Sequence, residues 1–219
     1  MPEKKAPRKQ DAPNESTALK VADWLTSTAI AGFGPLSSAD NLANEYLIDQ
    51  SYPDNDSRVD SLINWETSKN FSTGFITGLG GFITIPVAVP ASLGASWLIQ
   101  ARMAAAIAKI YGHDPSEERV KTAILLVIIG QDLKEVCKEA GVKVTTKVSY
   151  KLIEKIPGKV LTEINKKVGF KLLTKAGEKG VINLTKLVPV VGGVVSGTFD
   201  AVTCRVCGKT AKHFFQPSR

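Results

Sequence analysis

Residues 69–102 read KNFSTGFITGLGGFITIPVAVPASLGASWLIQAR, and nothing between Lys69 and Arg102 is charged. On length alone the run spans a bilayer. However, it holds Gly74, Gly78, Gly80 and Gly81, then Pro86 and Pro90. A helical proline removes a hydrogen bond and clashes with the preceding turn, so two prolines four residues apart break a spanning helix. The stretch therefore predicts a helix to about Leu79, a Gly80-Gly81 hinge, a kinked apolar segment, and a new helix from Ala91 to Tyr111. Short strands over Phe82–Ile85 stay open because β-branched residues cluster there. Gly80, Gly81, Phe82, Pro86 and Pro90 are the candidates for apolar insertion or hinge motion. Gly74 and Gly78 form a GxxxG pair that suits close helix approach in lipid or in a soluble bundle. Insertion and core burial draw on the same apolar surface, and both readings stay open.

On the N-terminal side, residues 1–15 read as a disordered basic tail with nothing to form a core. The remainder, 16–219, reads as a single helical domain. Ser16 is the expected cap of a first helix that carries Ala18, Ala22, Leu25 and Ala29 on one face and stops at Gly32, Gly34 and Pro35. Ser38 is expected to cap a second. A third starts near Asp56, with Val59, Leu62, Ile63 and Trp65 at helical spacing.

On the C-terminal side, Gly112 closes the helix, and Asp114-Pro115-Ser116-Glu117 reads as a capping box with proline at the first helical position. That helix is expected to run to about Ala140. After Gly141 a basic amphipathic helix is expected to about Ile156, with Lys143, Lys147, Lys151, Lys155 and Lys159 recurring every four residues beside Val144, Val148, Leu152 and Ile156. Pro157-Gly158 breaks it. Shorter helices follow over 160–175 and 181–187, then a last one from about Val190 to Phe214. The fold class is all-α, a helical bundle with a Gly/Pro-kinked apolar hairpin.

Apolar residues make up 43% and charged residues 22% of the 219, which excludes wholesale disorder, and three cysteines give no disulfide framework. The charge is uneven. Residues 21–70 carry two basic and eight acidic side chains, a net of −6, whereas 102–219 carry 21 basic and ten acidic, a net of +11. Such asymmetry points to an anionic partner for the C-terminal half. A polar, proline-bearing N-terminus without an apolar core is expected to keep the chain in a reducing cytoplasm.

Catalytic patterns are lacking. With two histidines in the chain, His-rich metal sites are poor candidates. Cys204-x-x-Cys207 with His213 would need a fourth ligand to hold zinc, so the cysteines read as packing residues. Gly208-Lys209-Thr210 mimics the end of a phosphate-binding loop, but Thr203 stands where the loop needs glycine. No metal and no cofactor is expected. Arg102 follows the uncharged run and calls for a carboxylate; Asp132 and Asp200 are the expected partners in a buried ion pair. For Lys147, Lys151, Lys155 and Lys159 the functional reading is contact with anionic lipid, at about 1 kcal/mol per lysine. Nucleic acid is the rival for a basic chain, but the bias to lysine over arginine and the lack of interleaved aromatics argue against it.

Gly78-Leu79-Gly80-Gly81-Phe82 leading to Pro86 and Pro90, then Ile107-Ala108 and Tyr111-Gly112, resembles the EcsC family. So does the block Ile164-Asn165-Lys166-Lys167-Val168-Gly169-Phe170 with Lys186-Leu187-Val188-Pro189, Gly192-Gly193 and Phe199-Asp200-Ala201. The resemblance covers roughly residues 40–215. It implies a helical bacterial protein associated with transport or secretion, with no catalytic residues to carry over. The expected function is a non-enzymatic protein at the inner face of the cytoplasmic membrane, peripheral or partly inserted, accessory to ABC-type export or envelope homeostasis. A membrane protein or transporter is then a partner. The alternative is a soluble helical module whose apolar hairpin holds a lipid-like ligand or a partner helix.

Overall fold

The computed structural model describes residues 14–71, 89–144, 148–183 and 192–217. In chain order the helices are α1 (Glu15–Ala31), α2 (Ala39–Leu47), α3 (Asn55–Phe71), α4 (Ala91–Ile110), α5 (Glu118–Ile129), α6 (Leu133–Glu139), α7 (Tyr150–Ile153), α8 (Gly158–Asn183) and α9 (Gly192–Phe215). The fold is all-α, with no strand among the described residues.

Helix α4 is the centre. From Trp97 to Ala108 every residue is buried, including five alanines whose small side chains let neighbours approach from all sides. A helix buried all round belongs in a core, and α1, α2, α3, α5 and α9 surround it. Helix α8 lies outside this layer, packed on α1 and α5.

The register between elements is antiparallel for α3 with both α4 and α9. Asn55 Nδ2 donates to the Ile110 carbonyl at 2.9 Å, whereas Glu66 meets Arg102 eight residues back along α4. Lys212 meets Asp60 at 2.7 Å. At Gly208 a Cβ would fall 2.8 Å from Ile63 Cγ1. Asp56 gathers one end of the bundle: it accepts from Tyr111 Oη at 2.7 Å and from Gln216 Nε2 at 2.8 Å. The opposite end holds the C-terminus of α3 and the N-termini of α4 and α9.

Several helix boundaries differ from the sequence reading. Asn14 caps α1 in place of Ser16, its Oδ1 accepting from Thr17 N at 2.8 Å. Ser38 caps α2. Asp114 forms a turn rather than a helix cap: its carboxylate accepts from both N and Oγ of Ser116, and α5 starts only at Glu118. That short local bond competes with the cap. The expected helix to Ala140 stops at Gly130, which takes φ +61°, a conformation side chains resist. Conversely, the two helices expected after Pro157 are one, α8. The tail residues 1–13 and the segment 72–88, with its expected hinge and strand, lie outside the described residues.

Candidate functional site

Arg102 lies on the buried central helix and is 3% exposed. Its Nε donates to the Ser37 carbonyl at 2.6 Å and its Nη2 to Ser37 Oγ at 2.8 Å. Its Nη1 stands 3.5 Å from Oε2 of Glu66, itself 2% exposed. Its ion-pair partner among the described residues is thus Glu66 of α3 and not Asp132. Asp132 pairs with Lys175 at 2.9 Å, which holds its carboxyl below the usual range, and the Asp200 side chain lies outside the described residues. Glu66 sits at i+7, i+4 and i+3 from Val59, Leu62 and Ile63, on the core face of α3. That spacing was the signal for it, obscured by the acidic character of the segment.

Burial pulls the Arg102 guanidinium below its ordinary value, and Glu66 opposes the shift. Tyr46 nearby is pushed up to about 12 by burial and by the Glu66 charge. Glu66 Oε1 and Arg102 Nη1 are buried without a hydrogen-bond partner, while Lys69 Nζ stands 3.7 Å from Glu66 Oε1. The group clamps α3, α4 and the α1–α2 connection together by charge.

Cys204 and Cys207 face the core side of α9, whereas His213 is exposed, so the three do not converge. The Cys207 thiol is within 3.9 Å of the Gln100 carbonyl. Burial pushes it far up, and pushes Cys137 to about 11. Thiolate chemistry is correspondingly disfavoured.

The continuous lysine helix from Lys143 to Lys159 does not form. The chain is irregular over Val142–Val144, α7 spans four residues, and Pro157 separates it from α8. β-Branched residues crowd 142–148 and weaken helix there. Lys147 lies outside the described residues. Lys151, Lys155 and Lys159 are exposed and meet no carboxylate among the described residues. They lie near the end of the bundle that Asp56 gathers, since Tyr150 packs against His113 and Phe215 with ring centroids 4.3 and 5.7 Å away. Farther along, Lys166, Lys167 and Lys171 are neutralised by Glu15 and Glu163, Glu139, and Glu135.

Of the apolar candidates, Gly80, Gly81, Phe82 and Pro86 lie outside the described residues. Pro90 precedes α4, its carbonyl accepting from Leu93 N and Gly94 N at 3.0 Å. Among the described residues no helix is long and apolar enough to cross a membrane. A crevice of about 200 Å³ opens between α1, α5 and α8, lined by Asp23, Thr26, Lys121, Leu125 and Asn165 among others.

The whole helical assembly from α1 to α9 is matched by the model of the EcsC protein family, over residues 17–217. The chain belongs to the EcsC family. The EcsC match begins within α1, farther upstream than the sequence blocks suggested, in keeping with α1 being an integral wall of the α4 core. Neither a curated protein nor a solved structure matches this EcsC chain.

Proposed function

We propose that this EcsC protein is a non-enzymatic, peripherally membrane-associating helical protein of the cytoplasm, accessory to export or envelope homeostasis. The observation that supports the reading is topological. Residues 70–101 and 187–199 contain no charged side chain. The antiparallel register of α3 with α4 and α9 places the C-terminus of α3 and the N-termini of α4 and α9, which adjoin these runs, at one end of the bundle. The opposite end is closed by the polar contacts of Asp56. Uncharged sequence adjoining described helix ends at one pole of a basic protein suits attachment to a bilayer, where buried apolar area and attraction to anionic lipid add together.

Fractionation of cells tests the reading. Recovery with membranes, followed by release in a carbonate wash, is the expected result for peripheral attachment. A protein found wholly in the soluble fraction, and failing to float with vesicles of any composition, overturns it in favour of a soluble module with an enclosed ligand.

A further inference from the structure

The exposed stripe of α9 combines aliphatic and basic side chains. Val202 is 63% and Val206 53% exposed, one turn apart. Arg205 and Lys209 are exposed beside them and meet no carboxylate among the described residues. No aspartate or glutamate follows Asp200 in the chain. On α3, Trp65 is 56% exposed, with Lys69 Nζ 5.3 Å from its ring centroid. The only acid of α3 after Asp60 is Glu66, which is buried. The α9 positions run from Val202 to Lys209 through the middle of that helix, and Trp65 and Lys69 lie on the C-terminal half of α3.

We infer that Val202, Arg205, Val206 and Lys209 of α9, with Trp65 and Lys69 of α3, form a docking surface for anionic phospholipid. The inference rests on the membrane-attachment reading and adds to it the orientation and the lipid class. Two arguments name the occupant. The first is charge: Arg205 and Lys209 are exposed, no acid follows Asp200 in the chain, and each cation near an anionic leaflet adds attraction, with Lys69 partly offset by Glu66 3.7 Å away. The second is where the chain goes: the uncharged run that begins at Asn70 follows directly on Lys69, and the one that ends at Phe199 stops three residues before Val202. Exposed valines and a tryptophan next to cations match the composition of the bilayer interface, where an amphipathic ring sits at headgroup level.

Flotation of the full chain with phosphatidylcholine vesicles, with and without phosphatidylglycerol, tests the surface. Arg205→Glu with Lys209→Glu is expected to lower binding to the anionic vesicles by about tenfold or more. Val202→Ser with Val206→Ser is expected to lower the part of binding that resists salt. Lys151→Glu with Lys155→Glu and Lys159→Glu, near the closed end, is expected to leave binding within about twofold. Circular dichroism confirms that each variant folds, since all the substituted side chains are exposed. If the wild type binds anionic vesicles but only the closed-end variant loses binding, the surface is wrong and the attachment reading stands. Equal binding of the wild type to neutral and anionic vesicles also overturns the anionic surface. If the wild type binds neither, the attachment reading itself fails.

Discussion

Gly169 of α8 crosses Ala18 of α1 so closely that a Cβ at Gly169 would overlap the Ala18 carbonyl carbon and oxygen. Both atoms belong to backbone, so no side-chain rotation relieves the overlap. Glycine is what lets α8 lie against α1, and that crossing joins the outer helix to the layer around α4.

Replacing Gly169 with alanine is therefore expected to destabilise the fold by about 1–3 kcal/mol, the usual range for overpacking. Gly177 on the same helix supplies the control, since an added Cβ meets nothing within 4 Å. Gly177→Ala should stabilise by about 0.5–1 kcal/mol through helix propensity. Urea melts of the two variants check the pair; two equal effects would show that the crossing does not matter.

The Glu66–Arg102 pair makes a second prediction. Arg102→Met removes the only buried cation facing Glu66 among the described residues, and breaking a buried pair typically costs about 3–5 kcal/mol. Adding Glu66→Leu removes the stranded carboxylate and should recover most of that loss. A double variant as unstable as the single one would mean that the cost comes from packing or from the Ser37 contacts rather than from charge.

The distinction between what the sequence revealed and what it concealed follows contact range. Apolar spacing with cap and breaker residues placed α1, α2 and α3, although Trp65, at helical spacing with Val59, Leu62 and Ile63, is 56% exposed. Glycine and proline marked the start of α4, which is buried on every side and has no single apolar face. Ser38 capped where its position suggested. Asp114 did not, since its bond to Ser116 is as local as a cap and forms a turn instead. The lysine period of four looked helical, yet Pro157 and the β-branched residues before Tyr150 outweighed it. The partner of Arg102 was a matter of tertiary register: Asp132 is as apolar in its sequence neighbourhood as Glu66, but Lys175 of α8 reaches it. The placing of the α3 C-terminus and the α4 and α9 N-termini at one end is likewise a product of register and has no sequence signature.

All three cysteines are buried, and burial pushes Cys137 up to about 11. Reaction with a thiol reagent at neutral pH should be slow in the folded protein and reach three equivalents per chain after denaturation. Rapid labelling of the native protein would show that α9 or α6 opens locally, and mapping the labelled residue would identify which.

Alkaline pH offers the last test, and its sign is fixed by direction. Tyr46 is pushed up to about 12 and Cys137 to about 11, both chiefly by burial. In the unfolded chain these groups lose their protons near about 10 and 8.5. Between the unfolded and folded values the native state holds more protons, so stability falls as pH rises. The contribution is complete below the unfolded values and is lost on passing through the folded ones. Thermal melts from neutral pH upward should hold level and then decline above about pH 9. The decline should be shallower for Cys137→Ala, which removes the thiol that titrates first. A decline of equal steepness would mean that the Cys137 thiol is not the group being driven from its ordinary value.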